Sequence, residues 1–191
     1  MRKSILVIGS SNTDMIIKSE RFPDPGETIL GGDFYMLPGG KGANQAVAAA
    51  RLGGEVSFIC RVGDDQFGKR SIQVYQEEGI STDNIIIDPE ERSGVALISV
   101  NGDGENKIVV ASGANNGFQE EEIENVYKII SRADYVILQL EIPVSIVGKI
   151  IQFSKRTDTN IILNPAPAQK LPDWFFDDLF LVTPNETETE I

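Results

Sequence analysis

A chain of 191 residues is long enough for one sizeable domain with a buried core, and its formal net charge of −12 argues against nucleic acid or an anionic membrane surface as partner. A single cysteine excludes an intrachain disulfide, and the absence of histidine excludes Ser-His-Asp and Cys-His catalysis and every histidine-ligated metal. Acid–base chemistry therefore falls to carboxylates and lysine.

The first apolar run, SILVIG at 4–9, is β-rich and stops at the turn residues that follow it. Residues 14–37 read as strand, Pro/Gly loop, strand. At 37–53, LPGGKGANQAVAAARLG puts three glycines around Lys41 and opens a helix. Ala43, Ala46, Val47 and Ala50 follow i, i+3, i+4, i+7 spacing there, and Gly53–Gly54 ends it. VSFICRV at 56–62 and NIIID at 84–88 read as strands, with Cys60 a small buried hydrophobe. Residues 94–113 form a hairpin around the turn NGDGEN. A second helix pattern carries Ile123, Val126, Tyr127 and Ile130. The strand DYVILQL at 134–140 precedes a helix with Pro143 in its first turn and Ile146, Val147, Ile150 and Ile151 on its apolar face. NIILN at 160–164 and LFLVT at 179–183 are the last strands. Fully apolar strands alternating with helices predict an α/β domain whose parallel sheet is covered on both faces. The strand pairs within 14–37 and 94–113 interrupt this rhythm and predict a small antiparallel sheet beside the main layer, positioned to cover a site. No apolar run approaches the length of a bilayer crossing, and the N-terminus has too short an apolar core for a secretory leader. A cytoplasmic protein is expected.

A glycine loop at a helix start usually holds an anion on its unpaired N–H groups. This one fails both familiar patterns. A Walker A loop needs Ser or Thr after its lysine, where Gly42 stands, and the dinucleotide fingerprint ends in glycine where Gln45 stands. Two readings stay open: a polar loop in which Lys41 and Asn44 meet a hydroxyl-rich ligand, or a tight turn with a solvated lysine.

GSSNTDMI, PGGKGANQAVAAARLG, VGDDQFG, SGVALISVNGDGEN, GANN, QLEIP, LNPAPA and TPNETETE occur in an order that resembles the ribokinase family of carbohydrate kinases, from Ile5 to the last residue. NPAPA and PNETE resemble its ribose-phosphorylating members in particular. The resemblance implies a Rossmann-like three-layer α/β/α fold with a β-sheet lid over the sugar, ATP as co-substrate and Mg²⁺. It makes Asn12 and Asp14 binders of sugar hydroxyls, lines the pocket with Gly40, Lys41 and Asn44, and gives Glu141 a ribose contact. It places Asn185 near the nucleotide phosphates and Glu188 at their magnesium, and makes Gly39–Gly40 the lid hinge. Read without it, Asn12–Asp14 is equally an Asx turn, Glu141 a solvated strand-end carboxylate, and 185–188 a charged tail.

The family's second signature, Gly-Ala-Gly-Asp, supplies the aspartate that takes the sugar's proton and the N–H groups that hold the moving phosphoryl charge. The string does not occur in these 191 residues. The resemblance thus implies the N-terminal, sugar-binding portion of a ribose kinase, with the base and any K⁺ site outside it. Two lids packing through Ile17, Leu30, Val95, Leu97 and Val109 would make a homodimer. The rival readings are another sugar or nucleoside kinase of the family, or a ribose-binding module without catalysis. A dinucleotide-dependent oxidoreductase is disfavoured by the missing fingerprint.

Overall fold

The computed structural model describes residues 2–190. In chain order its elements are β1 (Ser4–Ile8), β2 (Asn12–Lys18), β3 (Phe34–Gly39), α1 (Lys41–Arg51), β4 (Glu55–Ile59), β5 (Arg61–Gly63), α2 (Gln66–Glu77), β6 (Ile86–Asp88), β7 (Gly94–Val100) and β8 (Asn106–Ala111). After a 3-10 turn at Gly113–Gly117 come α3 (Glu120–Ile130), β9 (Tyr135–Leu138), α4 (Val144–Ser154), β10 (Asn160–Leu163) and β11 (Leu181–Val182). Short 3-10 turns at Asp173–Phe175 and Glu188–Glu190 flank the last strand.

The main sheet is parallel, in the order β11-β10-β9-β1-β4. Successive side chains of a strand point to opposite faces, and β1 shows the result. Leu6 and Ile8 enter a core with Ile123, Val126 and Ile130 of α3 and Ile146, Val147, Ile150 and Ile151 of α4. Val7 faces the other way, into a core with Ala43 and Ala46 of α1 and Tyr75 of α2. These are the helix positions that the 3.6-residue periodicity marks, and the result is a three-layer α/β/α sandwich. Cys60 is wholly buried, and burial pushes its thiol up from the ordinary range. Among the described residues no helix is long and apolar enough to cross a membrane.

The structure departs from the sequence pattern in several places. The run 56–62 is two strands, because the chain leaves the main sheet at Cys60, and β5 pairs in parallel with β6 in a separate two-stranded sheet. Residues 84–88 are therefore no part of the main sheet. Pro143 stands one residue before α4, as its N-cap. The four-stranded second sheet has the order β3-β2-β7-β8. Its two strand pairs are antiparallel as expected, but β2 joins β7 in parallel, so the sheet is mixed. The long return from β3 to β7 through α1 and α2 makes a parallel meeting possible.

Candidate functional site

All strands of a parallel sheet end on the same side, and ligands of such folds bind outside those carboxyl ends. Asn12 follows β1, Glu141 follows β9, and Asn185 follows β11. At about 4.8 Å per strand step, residues after β1 and after β11 stand about 14 Å apart, and those after β9 and β11 about 10 Å. The edge thus has two regions.

The first region is built around the start of α1. Gly40, its N-cap, has φ 91°, a conformation that favours glycine. The N–H groups expected to meet an anion are already engaged. Lys41 N–H donates to Glu141 Oε2 at 2.9 Å, Gly42 N–H to Ser10 Oγ at 3.2 Å, and Ala43 N–H to the Ser10 carbonyl at 2.9 Å. Glu141 is itself the anion at this helix N-terminus. Ser10, wholly buried, donates its hydroxyl proton to the same Oε2 at 2.6 Å, leaving Oε1 to face Lys41 Nζ at 4.0 Å. The loop is therefore not a phosphate cradle. It holds an amine and a carboxylate side by side, both partly buried.

Asp14 lies near this pair. A Cβ at Gly39 would fall 2.1–2.2 Å from its carboxylate, so a side chain there would displace Asp14 from this position. Burial, then the neighbouring Glu141 charge, pushes the Asp14 carboxyl above the usual range. Two carboxylates, one ammonium and the Asn12 amide at a half-buried wall can accept from and donate to several hydroxyls.

Asn44 is set apart from this cluster. It is exposed on the α1 flank facing α2, in a groove with Leu37, Pro38, Val47 and Glu78, and no described hydrogen bond ties it to Lys41 or Glu141. Asn185 and Glu188 form the second region and cap each other. Glu188 N–H donates to Asn185 Oδ1 at 2.8 Å and Asn185 N–H to Glu188 Oε2 at 2.9 Å. Glu188 Oε1 takes no part in that exchange. A Mg²⁺ ion held chiefly through phosphates and waters needs only one or two carboxylates, so the donor set fits.

The periodicity of the sequence gives no role to Ser10, Asn115 or Tyr75. Ser11 Oγ lies 2.6 Å from the buried Tyr75 hydroxyl, and Asn115 holds the Ser11 backbone. Ser10 and Asn115 stand inside GSSNTD and GANN, so the strings contain them, but no spacing rule singles them out.

The lid candidates Ile17, Val95, Leu97 and Val109 do share one sheet face, with Met15, Met36 and Phe34. Leu30 does not; it lies in the loop between β2 and β3 and is exposed. The opposite face carries Ile16, Tyr35, Leu37, Ile98, Ile108 and Val110 beyond Asp14, so the sheet is apolar on both sides.

The sequence pattern of the pfkB family carbohydrate kinases matches residues 2–191. The chain is 44% identical to the ribokinase of Haemophilus influenzae over all its residues, which correspond to 62% of that protein. It is 39% identical to the deoxyribokinase of Salmonella typhi over 98% of the chain and 61% of the relative. Among solved structures, Arabidopsis thaliana ribokinase complexed with ribose and ATP superimposes with a TM-score of 0.89 at 33% identity, over 98% of this chain and 62% of that one. The chain thus spans less than two thirds of these relatives.

Proposed function

The chain belongs to the pfkB family of carbohydrate kinases, and from that membership we propose that it is the sugar-binding portion of a ribokinase, which transfers the γ-phosphoryl group of ATP to O5 of D-ribose. The observation that carries this reading is the engagement of the α1 N–H groups by Glu141 and Ser10. That engagement removes an anion site and leaves hydroxyl-binding side chains in its place. Asp14 and Glu141 accept from sugar hydroxyls, Asn12 and Lys41 donate to them, and Gly39–Gly40 is the hinge on which the lid closes. The solved relative bound to ribose and ATP supports both substrates.

In the transfer, the O5–Pγ bond forms as the bond from Pγ to the ADP oxygen breaks, and the O5 proton passes to a base. Asn185 and Glu188 are assigned here to the phosphates and their ion: they cap each other, and Glu188 Oε1, outside that exchange, would enter the ion's shell. A Mg²⁺ ion held there would neutralise charge on the phosphates. Asn44 contributes from the α1 flank, and any K⁺ site lies outside residues 1–191. An ATP-consuming kinase of this kind works in the cytoplasm.

The test is calorimetric binding and ADP release with ribose, deoxyribose, fructose and adenosine, made on the chain restored to the length of its relatives. Tightest binding and turnover with ribose are expected; preference for another of the four would replace the substrate. Residues 1–191 made alone should show no ribose-dependent ADP release. A positioned base contributes ~10²–10⁴-fold and a single charge-stabilising donor ~10²–10³-fold, and no Gly-Ala-Gly-Asp string supplies either here. Turnover that disappears in an Asp14→Ala, Lys41→Ala variant would show that the machinery lies within this stretch.

A single sheet apolar on both faces cannot stand fully in water at low cost. Leu97 and Val109 are 54% and 69% exposed. Two such lids are proposed to pack together in a homodimer. Light scattering should give twice the chain mass at micromolar concentration, and Leu97→Asp with Val109→Asp should give the monomer. A monomeric parent would count against the lid contact.

A further inference from the structure

Asn115 sits in the 3-10 turn that follows the lid strand β8 and is almost wholly buried. Its side chain makes three hydrogen bonds. Oδ1 accepts from the Ser11 backbone N–H at 2.9 Å, while Nδ2 donates to the Ser11 carbonyl at 3.1 Å and to Asn12 Oδ1 at 2.8 Å. Chemistry fixes this orientation. A backbone N–H only donates and a carbonyl only accepts, so the two bonds to Ser11 settle which end of the Asn115 amide is oxygen. Its nitrogen then faces Asn12, and only an oxygen satisfies it there. Asn12 is held with Oδ1 turned to Asn115 and Nδ2 turned away.

Among the described residues Asn12 Nδ2 has no protein partner, and the one sealed, unpaired side-chain polar atom among them is Gln139 Oε1. The Asn12 nitrogen is therefore not sealed from solvent, although Asn12 as a whole is only 5% exposed. Gly94, where the lid strand β7 begins, completes the arrangement. A Cβ there would fall 2.2 Å from Asn12 Oδ1 and 2.3 Å from Asn115 Nδ2, so the strand lies against the amide pair only without a side chain.

We propose that Asn115 is a positioning residue for sugar recognition: by occupying the Asn12 amide oxygen it makes Asn12 a donor only. The pocket then presents one fixed N–H donor beside the carboxylate acceptors Asp14 and Glu141. A group that sits against Asn12 must offer a lone pair, as a hydroxyl oxygen does, and a ligand ammonium is refused there. The inference rests on the reading of Asn12 as a sugar contact.

The test is a double-mutant cycle on ribose affinity, measured by calorimetry on the parent, Asn12→Ala, Asn115→Asp and the double variant. An aspartate at 115 still accepts from Ser11 N–H but draws Asn12 Nδ2 inward, turning an oxygen to the ligand. Each single variant should bind ~10–100-fold more weakly, the cost of an unmade hydrogen bond in a closed site. The double variant should be no more than about twofold weaker than Asn12→Ala, because Asn115 acts through Asn12. Multiplying losses, or parent affinity in Asn115→Asp, would overturn the proposal. Asn115→Ser, too short to reach Asn12 and uncharged, carries the cycle if Asn115→Asp does not fold. A readout without sugar separates this inference from the substrate reading. In ligand-free protein, NMR should show the Asn12 side-chain amide protons exchanging with water more slowly in Asn115→Asp than in the parent, and equal rates would sink the idea. If the parent takes another sugar of the panel, the substrate reading fails and the cycle is read with that sugar.

Discussion

Asp14→Ala should weaken sugar binding by about tenfold to several hundredfold while leaving nucleotide affinity unchanged. Each hydroxyl left without its acceptor costs roughly 1–3 kcal/mol in a closed pocket, and that range converts to the fold-change directly. The same carboxylate should be a liability to the empty protein. Burial and the Glu141 charge raise its folded-state pKa above the unfolded value. For an acid shifted in this direction, the ionised form costs stability. The cost sets in as pH rises from the ordinary carboxylate range through the raised folded value, and it is fully present at neutral pH. Asp14→Asn should therefore raise the melting temperature of the sugar-free protein at pH 7, and the gain should vanish near pH 3, where both states are protonated. Sugar affinity should fall on acidification at a higher pH than an unperturbed aspartate would give. An Asp14→Asn protein with unchanged affinity and unchanged melting temperature would remove Asp14 from the site.

The opposite signs of those two effects show what could be read from the chain and what could not. The three layers were legible because burial imposes periods on the residues that experience it. Ala43 and Ala46 face one core and Ile146 and Ile150 the other, as their spacing requires. The break at Cys60 was not legible, since VSFICRV is apolar throughout and β5 continues the run in another sheet. Nor was the parallel meeting of β2 and β7, because pairing between segments about eighty residues apart leaves no local mark. The site divides in the same way. Asp14, Lys41 and Glu141 are legible only as members of GSSNTDMI, PGGKGAN and QLEIP, not through any periodicity, for Lys41 and Glu141 meet across 100 residues of chain. Ser10 escaped because a serine after a strand usually means a turn. Here its hydroxyl stands between a helix N-terminus and a carboxylate. Such roles exist only in three dimensions.

The largest effect on stability is expected at Arg61, far from the sugar cluster. Its guanidinium lies with Nε 2.9 Å and Nη2 2.8 Å from Asp88 Oδ2, and Nη1 bonds Glu122. The Arg61 and Asp88 side chains are only 12% and 6% exposed. The triad ties the two-stranded β5–β6 sheet, through Arg61 at the start of β5 and Asp88 at the end of β6, to the first turn of α3. The backbone N–H groups of Glu91 and Glu90, and then Arg61, hold the Asp88 carboxyl below the usual range against the cost of its burial. Removing one partner of a buried pair typically costs about 3–5 kcal/mol, because the other is left charged and unpaired. Arg61→Ala should fall near the lower end, about 3 kcal/mol, since Asp88 keeps two backbone donors and Glu122 is partly wet. Arg61→Met, which fills the volume but supplies no charge, should be nearly as damaging while both carboxylates remain. Adding Asp88→Asn and Glu122→Gln should recover part of the loss, since the uncompensated charges are then gone. The depressed Asp88 carboxyl contributes stability that is present above the ordinary carboxylate range and lost as pH falls toward its folded value. The parent should therefore lose stability on acidification more steeply than the neutralised triple variant. Urea unfolding at pH 7 and pH 3 measures both effects, and an Arg61→Ala protein within 0.5 kcal/mol of the parent, roughly the range of an ordinary surface substitution, would show that the triad does not hold these segments together.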